Sequence, residues 1–210
     1  VHDSRILDAV EDVIGAHILA AGSTLFIKEP NSGGFISWHQ DARYAGMEPH
    51  DWGTGWLAVS NVTEENGCMQ MIPGSHIDPL RDHVDTFGED NLLTRGQEVQ
   101  GIDESMAVSL PLKPGQLSLH HPRIVHGSGP NISNERRIGF ALQSYIAPSV
   151  EQVLGEMYVQ HARGTDGPRH HLEAPRVKDA MSDAAVALRI DANQKLADIL
   201  YAGSEHKGKY

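Results

Sequence analysis

His39-Gln40-Asp41 is the first stretch of the chain whose residue types and spacing suggest chemistry. If residues 35–41 run as a strand, positions i and i+2 face the same way, and an imidazole nitrogen and a carboxylate oxygen are offered to one point. A third ligand has to arrive from a distant strand of the same barrel. His126, after the apolar Ile124-Val125, is the best placed. Two histidines and one carboxylate on one face of an octahedron suit non-haem Fe(II) and leave the opposite face open to a chelating co-substrate and O2. Arg137 follows soon after His126, with Gly127-Ser128-Gly129-Pro130-Asn131 between them. That turn predicts a hairpin that sets Arg137 beside His126 on a neighbouring strand, where a guanidinium can grip a carboxylate through two parallel hydrogen bonds. Ser128 can donate a third. Strand alternation sends Arg136 the other way, to the surface.

The chain has 13 histidines, so rivals have to be weighed. His120 and His121 also precede the turn, but His126 is the one to which the Gly-Ser-Gly-Pro turn and the following arginine belong. His121 is read as lining a pocket or as structural, and His76 as part of a Pro73-Gly74-Ser75 turn in which Ser75 caps a helix. His170-His171 sit in a loop with no carboxylate at ligand spacing. Cys68 is read as a small buried hydrophobe, and Trp38 and Trp52 as packing or loop residues.

Strands are predicted at 20–28, 35–41, 55–62, 67–72, 107–112, 116–120, 124–126 and 137–146, with 21 glycines and 11 prolines punctuating the chain. This pattern predicts a mainly β fold, a double-stranded β-helix (jelly roll, cupin-like), with flanking helices. The first helix is expected from Ser4 to Gly15. Asp179 to Tyr201 is expected to form another, its stripe including Met181, Leu188, Leu196 and Leu200; the stripe packs on the sheet or forms a homodimer. The excursion His76 to Glu104 is expected to carry short helical pieces; it reads as a solvated loop first and as a candidate lid, with Arg81, His83 and Arg95, second. The loop Ala42 to Gly53 offers Arg43, Tyr44, His50 and Trp52 to a substrate pocket. One domain is expected over 1–210, with the barrel at about 20–148, a C-terminal loop and helix at 149–210, and a missing N-terminal segment.

A composition of 40% hydrophobic and 21% charged residues is globular, and a net charge of −11 argues against nucleic-acid and membrane partners. The single cysteine excludes an internal disulfide. The absence of a signal-peptide pattern leads to a cytoplasmic expectation.

Trp38-His39-Gln40-Asp41, Glu65-Asn66-Gly67-Cys68 running into Ile72-Pro73-Gly74-Ser75-His76, Pro114-Gly115, and His126-Gly127-Ser128-Gly129-Pro130-Asn131 with Ser133 and Arg137 together resemble the phytanoyl-CoA dioxygenase family of Fe(II)/2-oxoglutarate oxygenases. The likeness covers roughly Leu25 to Pro148. It implies that His39, Asp41 and His126 hold Fe(II), and that Arg137 and Ser128 bind the distal carboxylate of 2-oxoglutarate. Trp56 would contact the other end of that co-substrate through its indole N–H. Lys28 is noted only as a neighbour of that end. Related halogenases carry a small residue where Asp41 stands, so the aspartate implies hydroxylation of an unactivated carbon of a small-molecule substrate, with succinate and CO2 as co-products. Desaturation, epoxidation and cyclisation are the alternatives within the family. A non-oxidative metal-binding cupin-like protein and a scaffold with a dead barrel are the alternatives outside it.

Overall fold

A computed structural model describes residues 1–205. Contacts gather into two units, Ser23–Arg43 with Thr54–Gln143, and Val1–Gly22 with Tyr44–Gly53 and the chain from Ser144 on. The last five residues of the predicted 149–210 segment lie outside the described residues.

The first unit contains the barrel. Its strands are β1 (Thr24–Lys28), β2 (Ile36–His39), β3 (Trp52–Ala58, from Thr54 on), β4 (Met69–Met71), β5 (Val108–Leu110), β6 (Leu117–His120), β7 (His126–Ser128) and β8 (Arg137–Ile146, up to Gln143). One sheet runs β6-β3-β8 with β1 also paired to β8; the other runs β2-β7-β4-β5. The registered pairs are antiparallel. Trp56 and Ala58 of β3, Ala141 of β8, Val62 and Cys68 are buried together, with Phe26 of β1, Met69 of β4 and Leu112 packed on them, so both sheets contribute to one core. Burying an aliphatic or Phe-sized side chain contributes about 1.5–3 kcal/mol. The fold is the expected mainly β jelly roll.

The other unit pairs Ile18–Ala21 with residues 144–146 and with Tyr158–Arg163. Its helix Ser4–Ile14 is capped by the Asp3 side chain and ends at Gly15 with φ 94°. The helix Asp183–Leu200 buries Ala185, Ala197 and Ile199. Met181, expected on its apolar stripe, lies ahead of the helix and is exposed. Tyr158 donates to Asp191, and Lys195 pairs with Glu156.

Four local expectations are corrected. The strand predicted over 20–28 breaks at Gly22, whose φ of 56° favours glycine, leaving two strands. The long excursion holds a hairpin, His83–Asp85 with Gln97–Val99, and a single 3-10 turn at Glu104–Met106 rather than helical pieces. Ser75 caps no helix: its hydroxyl donates to the Ile72 carbonyl and accepts the Val125 N–H, tying down the approach to His126. The hairpin expected between His126 and Arg137 is absent, because β7 and β8 belong to different sheets. Asn131, fully buried, anchors the crossing by donating to the carbonyls of Lys28 and Glu135.

Candidate functional site

His39 closes β2 and His126 opens β7, and the two stand opposite each other in register. Asp41 does not share a strand with His39. The strand ends at His39, and the carboxylate comes from the turn before the short helix Ala42–Ala45, so convergence is set by that turn rather than by strand pleating. Asp41 Oδ1 lies 3.5 Å from His39 Nε2 and 3.8 Å from His126 Nε2, and the three ligand atoms are within 4.8 Å of one another. His39 Nδ1 lies 2.8 Å from the Ser37 carbonyl and His126 Nδ1 lies 3.0 Å from the Ile124 carbonyl. A carbonyl only accepts, so each Nδ1 carries a proton and each Nε2 is the ring nitrogen turned towards Asp41.

The protonation states match those of ligands. Burial, then the neighbouring His39, pull His126 down to about 3. Burial alone would raise Asp41, but His126, followed by His120 and His39, outweighs it and holds the carboxyl well below its usual range. A neutral imidazole and an ionised carboxylate are the forms a metal binds. Gln40, between the ligands, is buried and braces the site: its side chain donates to the Arg123 carbonyl (2.6 Å) and accepts from the Arg81 N–H (2.9 Å). Its own N–H donates to His83 Nε2 at 3.0 Å.

A second group forms around Arg137. Across the β8–β1 pairing its partner is Lys28, and these side chains are only 2% and 1% exposed. Lys28 Nζ donates to Ser128 Oγ (2.7 Å), to the Ser128 carbonyl (3.3 Å) and to the Gly129 carbonyl. Because Ser128 Oγ accepts from Lys28, its own proton is left to give to another acceptor. Arg137 Nε and Nη2 have no hydrogen-bond partner among the described residues, and no ion pair with an acid is found there for either cation. The guanidinium carbon lies 5.4 Å from the centroid of the Trp56 ring. Trp56 is thus seated at the guanidinium end, where the backbone of Gly139 makes room: a Cβ there would come within 1.8 Å of the indole. Burial, then the charge of Arg137, bring Lys28 down to about 7, and burial brings Arg137 down to about 10. Two buried cations with no counter-ion are costly unless an anion joins them.

Lys28 is the residue that sequence reasoning undervalued. Leu25, Phe26 and Ile27 are all apolar, so the sequence does not show which face is inside; in the structure Phe26 packs on the core while Leu25 and Ile27 are exposed, and Lys28 is a charge on the core-facing side. Thr54 was missed as well; its Oγ1 lies 2.9 Å from Asp41 Oδ2. Of the pocket candidates, Arg95 is paired with Asp85 at 2.5 Å, His83 meets Gln40, and Arg81 lies 3.6 Å from Asp78. Arg136 forms its surface pair with Glu29, as alternation requires. Tyr44, His50 and Trp52 belong to the other unit, where Trp52 Nε1 donates to the Met47 carbonyl.

A jelly roll that brings two histidines and a carboxylate together and buries an arginine in the same barrel defines the class: a double-stranded β-helix with a facial-triad arrangement. The phytanoyl-CoA dioxygenase (PhyH) family model matches residues 1–139, and the chain belongs to that family. It is 32% identical over 157 residues to a probable alpha-ketoglutarate-dependent hypophosphite dioxygenase of Stutzerimonas stutzeri, covering 74% of this chain and 54% of that protein. The chain spans about half the length of the curated relatives it matches, or less. Among solved structures, the ligand-free non-heme monooxygenase ThoJ is 33% identical with a TM-score of 0.83, over 95% of this chain and 73% of that one. EvdO2 from Micromonospora carbonacea var. aurantiaca, complexed with 2-oxoglutarate, is 29% identical with a TM-score of 0.54, over 69% and 56% of the two chains. No helix among the described residues is long and apolar enough to cross a membrane.

Proposed function

We propose that this protein is an Fe(II)- and 2-oxoglutarate-dependent dioxygenase that hydroxylates an unactivated carbon of a small molecule. The observation that carries the reading is the guanidinium of Arg137, buried and with Nε and Nη2 unpartnered among the described residues, in the same barrel as the His39–Asp41–His126 group. The donor set fits the metal, since two imidazoles and one carboxylate are a set that non-haem Fe(II) takes. The cation pair fits the co-substrate, since a dicarboxylate can chelate the metal at one end and neutralise Lys28 and Arg137 at the other.

In this reading His39, Asp41 and His126 hold the iron, which supplies, together with 2-oxoglutarate and O2, the oxidising power that ends in succinate, CO2 and oxidised substrate. Arg137 binds the distal carboxylate through its two free N–H groups, and Ser128 donates its hydroxyl proton to the same group. Lys28 fixes the Ser128 hydroxyl in that role and adds charge. Trp56 walls the carboxylate end and shields it from water, which strengthens each charged contact. Gln40 keeps the segments around Arg81 and Arg123 docked against the metal motif.

The relative from Stutzerimonas stutzeri is named for hypophosphite and the structural relative ThoJ as a monooxygenase. These names support oxidation of a small molecule without choosing one. The test is succinate formation from 2-oxoglutarate with added Fe(II) under air, compared with the Arg137→Leu variant. The expected result is succinate release, or 2-oxoglutarate binding under nitrogen, by the wild type and its loss in the variant. A wild type that binds Fe(II) yet shows no affinity for 2-oxoglutarate would favour a non-oxidative cupin-like protein.

A further inference from the structure

His120 is a buried histidine that neither the metal motif nor the carboxylate pocket uses. It ends β6, is 8% exposed, and neither ring nitrogen has a hydrogen-bond partner among the described residues. An imidazole buried in this way always carries at least one N–H, and an unmet donor there is expensive unless it faces an acceptor. Its Nε2 faces one: Asp41 Oδ2 lies 3.6 Å away, just beyond hydrogen-bond length. The ring stands 4.8 Å from that of His126, yet His120 is not among the three residues whose ligand atoms converge.

The two oxygens of Asp41 have separate surroundings. Oδ1 faces the lone-pair nitrogens of His39 and His126. Oδ2 faces Thr54 and His120, which are directly opposite each other in the β3–β6 pairing. Thr54 has one hydroxyl proton and two acceptors at 2.9 Å, Asp41 Oδ2 and the Gln143 carbonyl. It therefore cannot satisfy Oδ2 alone at all times, and a carboxylate oxygen has room for a second donor.

We propose that His120 is a positioning residue for the metal site: with Nε2 protonated, it and Thr54 form a cross-strand clamp that holds Asp41 Oδ2 and so aims Oδ1 at the metal. The inference rests on the reading of His39, Asp41 and His126 as ligands and extends it. Donors to a ligating carboxylate fix its rotamer and typically carry a 10- to 100-fold share of metal affinity.

The experiment is a titration of the metal-free protein with Co(II), read by its visible absorption, on the wild type, His120→Gln, His120→Asn, Thr54→Ser and Thr54→Val. Glutamine can place an amide N–H near the position of Nε2, whereas asparagine places one nearer Nδ1. The two variants differ in little else, and melting of the metal-free forms checks that each folds. The clamp predicts that His120→Gln and Thr54→Ser bind Co(II) nearly as the wild type does. It predicts that His120→Asn weakens binding roughly 10- to 100-fold with a changed cobalt spectrum, as does Thr54→Val. Equal Co(II) affinity in His120→Asn, His120→Gln and the wild type overturns the clamp and leaves the ligand assignment standing. A wild type that takes up no Co(II) overturns the ligand assignment, and the clamp with it.

Discussion

The two ends of the candidate site carry opposite charge. At one, an ionised Asp41 stands between imidazoles that turn their Nε2 atoms towards it, and this end offers a ligand set for a cation. At the other, Arg137 and Lys28 face each other in register with no acid paired to them among the described residues, and that end is deficient in negative charge. A divalent cation satisfies the first and a carboxylate the second. On the proposed reading one dicarboxylate that chelates the cation would serve both at once, and for that reason the pair of ends says more than either alone.

If the ends are separate in this way, they should fail separately. The largest effect is expected from Asp41→Ala, which removes the sole carboxylate of the group and should weaken Fe(II) binding more than about 100-fold, beyond the range of indirect effects on metal sites. Equilibrium dialysis checks it, and full metal uptake by the variant would break the comparison at its first end. Arg137→Leu comes next. On the proposed reading it deletes two charge-assisted hydrogen bonds worth together about 3 kcal/mol or more, roughly a hundredfold in the KM for 2-oxoglutarate. Fe(II) affinity measured without 2-oxoglutarate should be unchanged in that variant, and a parallel loss of iron would show that the ends are one unit.

How well the sequence announced these ends follows from how each is built. His39 and Asp41 are two residues apart and could be read from the motif, although the turn after β2, not the strand, brings them together. His126 was recognised by the turn that follows it. The carboxylate end was half legible. Arg137 and Ser128 were found, but their geometry was misread as a hairpin, because the crossing between sheets depends on Asn131 reaching the carbonyls of Lys28 and Glu135, and a turn-rich segment alone does not disclose it. Lys28, Thr54 and His120 are single residues on strands, and only strand pairing shows that they meet Ser128 or Asp41. The jelly roll itself was legible from strand spacing, while edges such as Gly22 and the excursion hairpin depended on local backbone angles and long-range pairing.

A smaller effect, with a sign that differs between two measurements, comes from Lys28. Its ordinary value is 10.5, and in the fold it lies at about 7. Between those values the unfolded chain holds a proton that the ligand-free fold has released, so Lys28 makes the stability of the ligand-free protein rise with pH in that window. An anionic co-substrate prefers the protonated form, so the affinity for 2-oxoglutarate should fall as pH rises through about 7, by at most about tenfold per pH unit. Lys28→Met should flatten both slopes. Binding of 2-oxoglutarate that is independent of pH from 6 to 9 in the wild type would remove Lys28 from the carboxylate end.

Gly139→Ala and Cys68→Ser probe the wall of that end. At Gly139 an added methyl collides with the Trp56 ring, and overpacking of this kind costs about 1–3 kcal/mol; a lower melting temperature and altered tryptophan fluorescence should follow, with iron binding retained. Cys68 should show the smallest change and answers a sharper question. It is the titratable group whose charge would be felt by both Lys28 and Arg137, and as a thiolate it would be their missing counter-ion. Burial raises its pKa, so at neutral pH it is a thiol and leaves the two cations unbalanced. Serine keeps the size and neutrality of the side chain at a cost of about 1–2 kcal/mol for the buried hydroxyl, so the KM for 2-oxoglutarate should move less than about threefold. A tenfold tightening would instead mean that the serine had removed a competing anion. In that case the charge imbalance on which the comparison rests would be one that the protein already satisfies by itself.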